Sequence, residues 1–381
     1  VRFTLSKLAT LVLEDGTTLQ GAAFGAQADS VFELVFNTSM SGYQEILSDP
    51  SYRGQGVLFT AAHIGNVGIN LEDDESAAPQ ISAAVIRSLS PAFSNWRADL
   101  SLSDWLSKHG VPAISGVDTR WLTRKLRDGG SQKAALSTCG TPAEALLRMA
   151  RDWAGLDGCD MVKEATCAEP YHWTDDSGAK WVQKKQKQNE DSAFHVVAYD
   201  FGIKENILRH LSSYGATVTV VPADTPAEQA LALKPNGVFL SNGPGDPAGL
   251  PYAVEAVGKL IQSGTPVFGI CLGHQLIGRA LGAQTQRLKF GHHSGNHPVQ
   301  HLQTGKVLIT AQNHNYCVAT GDLNEDEVEI THKSLNDDSL EGLRMKNQPV
   351  FSVQFHPEAA PGPHDAHGIF GEFFQMMKNK K

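Results

Sequence analysis

Several things are scarce in this chain of 381 residues, and each scarcity removes a class of function. Positive charge is one: 32 Lys and Arg against 41 Asp and Glu leave a formal charge of −9, so no broad basic face is expected and nucleic-acid binding as the main task is set aside. Long apolar runs are another. No stretch approaches the roughly 20 apolar residues that cross a bilayer, so no membrane span is expected. The first residues, "VRFTLSKLATLVLEDG", lack a signal-type cleavage pattern and read as part of a cytoplasmic protein. Five cysteines, at positions 139, 159, 167, 271 and 317, are odd in number and show no CxxC spacing, which argues against a disulfide framework and a zinc ribbon alike. A phosphate loop is missing too: "SNGPGDP" (241–247) is rich in glycine but lacks the Lys and Ser/Thr that such a loop requires.

What is present is the composition of an ordinary water-soluble protein, 41 % hydrophobic and 19 % charged, in a chain long enough for two domains, possibly three. Over the first 130 residues the pattern predicts mixed α/β structure rich in strands. Asp15-Gly16 in "TLVLEDGTTLQG" separates two short apolar runs, the mark of a tight hairpin, and "ELVFN" (33–37), "GVLFT" (56–60) and "SAAVIRSL" (82–89) read as further strands. "LSDWLSKHG" reads as a helix ending on Gly110, and "DTRWLTRKLRDGG" as a helix with Asp118 as N-cap and glycines as its stop. In "TPAEALLRMARDWAG", Thr141 as N-cap, Pro142 at the first helical position and Glu144 closing a capping box predict a helix over 142–153. The polar run "TDDSGAKWVQKKQKQNEDSA" (174–193) reads as a surface linker. The expected organisation is an N-terminal domain over 1–155, a connecting segment over 156–194 and a second domain over 195–381.

From residue 195 strands and helices alternate: "HVVAYD", then "IKENILRHLSSYG" with apolar positions 203, 207, 208 and 211, then "TVTVVP", "PAEQALAL", "GVFLSN", "YAVEAVGKLIQSG", "PVFGI" and "GHQLIGRALG". Such alternation implies right-handed crossovers and a parallel sheet covered on both faces, with ligands at the carboxyl ends of the strands. That rule puts the loops "SNGPGDP" and "GICLGHQ" (269–275) at the functional edge. Gly-x-Cys-x-Gly between strand and helix has the shape of a nucleophile elbow, with Cys271 exposed at its tip and its thiol facing the helix amino end, which favours the thiolate. The alternative is that Cys271 is a small buried hydrophobe at a strand end.

A cysteine nucleophile needs a base, and the base needs an orienting group. "SVQFHPEAAPGP" (352–363) offers both: a strand ending in His356, with Pro357 keeping the backbone extended so that His356 and Glu358 point to the same side. Backbone N–H groups of Gly243 and of Leu272, the residue after the nucleophile, suit an oxyanion. "FGHHSGNHP" (290–298) gathers His292, His293 and His297, but without a carboxylate or cysteine at known ligand spacing, and its glycine and proline suggest a turn; no metal site is expected.

Together "PVFGICLGHQLIG", "LSNGPGDP" and "QFHPEA" resemble the class I (triad) glutamine amidotransferases. Further segments, "NTSMSGYQEILSDPSY", "HIGNVGIN", "VDTRWLTRKLR", "YDFGIKENILR", "KFGHHSGNHPV", "TAQNHNY", "THKSLND" and "PGPHDA", are similar along nearly the full length to the small, glutamine-hydrolysing subunit of carbamoyl phosphate synthetases. The resemblance implies an α/β fold: a C-terminal parallel-sheet amidotransferase domain with helices on both faces, preceded by a smaller strand-rich domain that contacts a large subunit. It implies that Cys271 attacks the glutamine carboxamide, His356 moves the proton to ammonia and Glu358 orients the imidazole. L-glutamine would be held by Ser51, Gly243, Gly245, Leu272, Gln275, Asn313, Asn315 and Tyr316, in a site lying between domains.

Position 315 departs from the family pattern, which has glycine there; Asn tolerates positive φ better than other non-glycine residues, so the backbone shape is expected to survive. The resemblance further implies no cofactor on this chain, ATP and Mg on the large subunit, and carbamoyl phosphate for arginine or pyrimidine synthesis as the product of a heterodimer. Rival readings are a glutaminase subunit of another amidotransferase, a non-catalytic binding subunit, and a cysteine hydrolase of another γ-glutamyl compound.

Overall fold

The computed structural model describes residues 7–174 and 194–380, so most of the expected linker lies outside the described residues. The chain folds as two compact units, Val1–Asp157 with Lys289–His293, and Gly158–Leu288 with Ser294–Lys381.

In the first unit the hairpin at Asp15-Gly16 joins β1 (Leu8–Leu13) to β2 (Thr18–Gly25). Gly16 has φ 92°, and the Asp15 carboxylate accepts the Thr17 N–H at 2.9 Å, so the turn residues act as the sequence suggests. Then follow β3 (Asp29–Asn37), α1 (Tyr43–Ser48), β4 (Gln55–Phe59), β5 (His63–Ile64), β6 (Ala83–Ile86), β7 (Ser88–Leu89), α2 (Leu102–Lys108), β8 (Pro112–Ser115), α3 (Thr119–Gly129), β9 (Gln132–Ser137) and α4 (Ala143–Asp152). Among the described residues seven strands close into a barrel in the order β1-β2-β8-β6-β4-β3-β9, because β1 pairs with β2 on one side and with β9 on the other.

Alternate residues face opposite ways. Leu11, Phe32, Leu34, Leu58, Val85, Ile114 and Leu136 share one core with Leu122 and Leu126 of α3. The other parity, Val35, Val57, Ala84, Ile86 and Ala113, packs with Ile46 and Leu47 of α1 and Trp105 and Leu106 of α2.

Two local expectations change here. "SAAVIRSL" is two strands, broken at Arg87, whose carbonyl accepts the Gly116 N–H and whose guanidinium donates to the Val117 carbonyl. Asp118 does cap α3, accepting the Trp121 N–H at 2.9 Å, but Thr141 does not cap α4. Its hydroxyl donates to Asp29 at 2.6 Å, and Pro142 stands at the cap without a side-chain bond, so a tertiary partner has displaced the capping box.

The second unit holds β10 (Tyr171–His172), β11 (Phe194–Asp200), α5 (Glu205–Ser213), β12 (Ala216–Pro222), α6 (Ala227–Ala232), β13 (Gly237–Leu240), α7 (Pro251–Gln262), β14 (Val267–Ile270), α8 (Leu272–Ala280), β15 (Thr285–His301), β16 (Val307–Val318), β17 (Val328–Ser334), β18 (Leu340–Met345), β19 (Val350–Val353) and α9 (Gly368–Lys380). The sheet runs β10-β12-β11-β13-β14-β19-β18-β17-β15-β16, and β12, β11, β13, β14 and β19 are parallel. Val197, Tyr199, Val238, Leu240 and Val267 face α6, α7 and α8, while Val196, Ala198, Phe239, Phe268 and Ile270 face α5 and α9. Both faces are therefore covered, as continuous apolar strands demand.

"FGHHSGNHP" is not a turn but the interior of β15. The antiparallel strands β15 to β18 and the helix α9 have no counterpart among the elements expected from the sequence. In α9, Phe370, Phe373, Phe374 and Met377 are buried in the same core as Phe268 and Phe351.

Candidate active site

The carboxyl ends of β11, β13, β14 and β19 meet at one edge, as the crossover rule requires. At the end of β14 the chain turns sharply into α8, and Cys271 sits at that turn with φ 53° and ψ −103°, a conformation costly to a residue bearing a side chain. Backbone bonds hold it there: Cys271 N–H to the Val353 carbonyl at 2.9 Å and Gly273 N–H to the Ser241 carbonyl at 3.0 Å.

The flanking glycines are needed for space. A Cβ on Gly273 would come within 2.2 Å of the Leu240 carbonyl oxygen, and one on Gly269 within 2.8 Å of the Gly273 backbone. The elbow thus matches the expected shape, but its tip is not exposed. Cys271 is 2 % accessible, and its sulfur lies 3.6 Å from the Asn313 carbonyl on β16, a strand the sequence pattern does not announce.

His356 also departs from the expected reason while keeping the expected contact. β19 ends at Val353; His356 forms an isolated bridge with Ala311, and the chain then turns, with the Ala359 N–H donating to the His356 carbonyl at 3.1 Å. Glu358 reaches His356 because Pro357 opens a turn, not because an extended strand puts both on one side. The imidazole Nδ1 and Glu358 Oε1 are 2.6 Å apart, both residues being buried.

Below them lies a residue that motif reading missed. Lys204, in the loop between β11 and α5, places its Nζ 3.1 Å from Glu358 Oε1 and 2.5 Å from the Ala359 carbonyl. Asn206 donates to the Glu358 carbonyl at 2.6 Å. A lysine just past the carboxyl end of a parallel strand was the available signal, since that is where such sheets place functional groups.

These contacts set the charge states. Burial by itself disfavours the imidazolium, but the Glu358 carboxylate and, second, the Cys271 sulfur favour it more strongly, raising the pKa of His356 from 6.5 to about 10. Burial likewise works against the Glu358 carboxylate, and Lys204, followed by His356, overcomes it and lowers the pKa to about 2. The arrangement is a cysteine sulfur beside an imidazolium, backed by a carboxylate that a lysine keeps ionised. His356 Nε2, the ring nitrogen Glu358 does not use, has no hydrogen-bond partner among the described residues. Such a constellation can activate sulfur as a nucleophile and return a proton to a leaving group.

Of the residues expected around glutamine, the second unit contains all but Ser51. Ser51 is in the first unit, in a short turn where the Asp49 carboxylate accepts its N–H at 2.9 Å. Leu272 opens α8, and a Cβ on Gly243 would meet the Phe201 carbonyl oxygen at 2.2 Å and Leu272 Cδ2 at 2.8 Å, so glycine keeps this backbone close to the start of α8. Gly245 has φ 88° against Met161. Gln275 donates to the Tyr316 carbonyl at 2.7 Å and to Gln354 Oε1 at 3.1 Å, joining α8 to β16. Asn313, Asn315 and Tyr316 all lie on β16. Asn315 adopts no positive φ, so the tolerance argued for it is not called upon.

The histidines considered for a metal are strand residues of β15; His293 packs on Tyr52 with ring centroids 5.7 Å apart, and His297 Nε2 is 2.9 Å from Ser334 Oγ. The carboxylate absent from their own segment is supplied to His297 by β18 of the same unit, since His297 and Glu341 bring ligand-type atoms within 4.8 Å of one another. Glu341 is also engaged by Gln312, which donates to it at 2.9 Å.

Comparison with known proteins adds an independent line. Residues 197–376 match the family model described as glutamine amidotransferase class-I, and residues 11–136 match that of the carbamoyl-phosphate synthase small chain, CPSase domain. The carbamoyl phosphate synthase small chain of Salmonella typhi is 50 % identical over 378 residues, covering 98 % of each chain. That of Thermosynechococcus vestitus is 49 % identical over 370 residues, 97 % of this chain and 96 % of the relative. The chloroplastic small chain of Oryza sativa subsp. japonica is 52 % identical over 374 residues, 98 % of this chain and 83 % of the relative. A match that takes in both the barrel and the sheet, at about half of all positions, places this chain in the carbamoyl phosphate synthase small chain family, with a class I glutamine amidotransferase domain as its C-terminal part.

Proposed function

We propose that this chain hydrolyses L-glutamine through Cys271, His356 and Glu358 and passes the ammonia to a large subunit, which makes carbamoyl phosphate from bicarbonate and ATP. The observation that carries the reading is the buried row Cys271, His356, Glu358 and Lys204, with 2.6 Å between imidazole and carboxylate and 3.1 Å between carboxylate and ammonium. The thiolate adds to the carboxamide carbon. The resulting oxyanion takes hydrogen bonds from the backbone N–H groups of Leu272 and Gly243, a term worth roughly 10²–10³ in rate per donor. His356 gives its proton to the departing nitrogen, the C–N bond breaks, and a γ-glutamyl thioester and ammonia remain. Water then attacks the thioester with His356 taking its proton, the C–S bond breaks, and glutamate leaves with thiolate and imidazolium restored.

Glu358 fixes the ring through Nδ1, which leaves Nε2 for the proton in transit. Gln275, Asn313, Asn315, Tyr316, Gly245 and Ser51 are assigned to holding glutamine. The family models on both parts of the chain support the carbamoyl phosphate reading over a glutaminase that serves another synthase, since residues 11–136 carry a match of their own. ATP and Mg belong, on this reading, to the large subunit.

Glutamate release by the purified chain, with and without a large subunit, bicarbonate and ATP, tests it. The expected result is slow hydrolysis that accelerates with the full set and is lost in Cys271→Ser. Hydrolysis indifferent to the large subunit would overturn the coupled reading.

A further inference from the structure

The first unit carries a charge arrangement that the glutaminase chemistry does not use. On α3 the apolar residues Leu122 and Leu126 are buried in the barrel core, which turns the opposite face outward. That face presents Arg120, Arg124 and Arg127, at i, i+4 and i+7, and all three are exposed. With Thr60 and Thr123 they line an open cleft of about 430 Å³.

The charges are largely uncompensated. Arg127 pairs with Asp128 at 2.8 Å, and Asp128 also feels Arg124 and Lys289. Asp118, at the head of the helix, is engaged with the Trp121 N–H. Lys125, on the flank, is paired with Asp15 at 2.6 Å. Among the described residues Arg120 and Arg124 have no ion-pair partner. In a chain of net charge −9, three arginines clustered on two turns of one helix mark a local field opposite to that of the whole. The cleft also contains a polar atom without an outlet: Thr123 Oγ1 is buried and makes no hydrogen bond among the described residues.

Two features favour a protein partner over a small anion. The stripe is about 10 Å long, at 1.5 Å per residue, which suits several carboxylates spaced along a chain better than one phosphate. The same unit also exposes large apolar side chains of the kind enriched at interfaces: Trp121 beside the stripe at 46 % exposed, and Trp96, Leu71 and Met40 at 86, 82 and 81 %.

We propose that Arg120, Arg124 and Arg127 form an ionic docking stripe for an acidic segment, rich in Asp and Glu, of the large subunit. This rests on the proposed function, and it adds which surface of this chain recognises the partner and by what chemistry. Guanidinium groups suit the task, since each offers a planar fork of donors that matches a carboxylate.

The test is the association of the purified chain with the large subunit from the same organism, measured at low and high salt. Wild type is compared with Arg120→Glu/Arg124→Glu and with the milder Arg124→Ala. Folding of each variant is checked by basal glutamate release, which needs none of these residues. The expected result is an association rate lowered by roughly tenfold or more at low salt in the charge-reversed variant, a shallower salt dependence in both variants, and unchanged basal hydrolysis. Wild-type affinity and wild-type salt dependence in both variants would overturn the stripe, while leaving the proposed function intact. Protection of the stripe by inorganic phosphate, with large-subunit binding unaffected by the substitutions, would also overturn it in favour of a free-anion site. If the wild-type chain itself fails to bind the large subunit, it is the proposed function that falls, and the stripe with it.

Discussion

Lys204 and Arg124 are both cations on this chain, held in opposite ways. Lys204 is sealed in the second unit, its side chain 3 % exposed, with a carboxylate and a carbonyl within hydrogen-bonding distance. Arg124 stands in water on the barrel unit, with no ion-pair partner among the described residues. The difference follows from the cost of removing a charge from water. An ammonium without a partner is not tolerated in the interior, so its partners are written into the fold, whereas water satisfies an exposed guanidinium and leaves it free for another molecule. A buried pair therefore reports on internal architecture, and an exposed unpaired cluster on something outside the chain.

The strongest way to break this contrast is Lys204→Met. It leaves Glu358 buried without its chief counter-charge, and urea unfolding is expected to show a loss of about 3–5 kcal/mol together with loss of glutamate release. Adding Glu358→Gln should recover much of the stability but none of the activity.

Titration gives the next effect. Because His356 is raised to about 10 from 6.5, the folded state holds a proton that the unfolded state has released, so its contribution is complete below pH 6.5 and is lost as pH rises through 10. Glu358 acts at the other end: its contribution is present above about 4.5 and is lost as pH falls toward 2. The unfolding free energy of wild type should fall between pH 6.5 and 10 more steeply than that of His356→Gln; equal slopes would count against the charged imidazole.

Asn315→Gly comes third. As the glutamine contact assigned to this position is through its backbone, and the position lies inside β16 without positive φ, glycine should leave the KM for glutamine unchanged and cost about 0.5–1 kcal/mol of stability. A marked fall in KM would show that the family's glycine does more than shape the strand. Smallest of all is Arg124→Ala, for which the unfolding midpoint and basal hydrolysis should both match wild type; a clear loss in either would mean the stripe serves the fold after all.

What could be read in the sequence was mostly local. The hairpin at Asp15-Gly16, the Asp118 cap and the elbow at Cys271 each depend on a few neighbouring residues whose conformational preferences decide the outcome. What could not be read depends on partners distant in the chain. Closure of the barrel needs Leu11 opposite Leu136, and Thr141 gave up its capping role to Asp29, a residue 112 positions away. The sulfur of Cys271 meets the Asn313 carbonyl, on a strand of mixed polar and apolar residues that offered no clean period. Lys204 was in view within "YDFGIKENILR", yet nothing in that segment shows that its ammonium meets the carboxylate of Glu358, far along the chain. The site was legible as a set of residue types; its depth and its supporting charges were not.

The burial of Cys271 also decides how the protein meets thiol reagents. Cys139 is exposed, Cys159 and Cys167 are half-buried, and Cys271 and Cys317 are buried. A bulky maleimide dye should therefore mark Cys139 first, on the barrel unit, while Cys271, the sulfur proposed as nucleophile, should react only with small reagents. The protein comes with a handle for fluorescent labelling on the unit that does not contain Cys271.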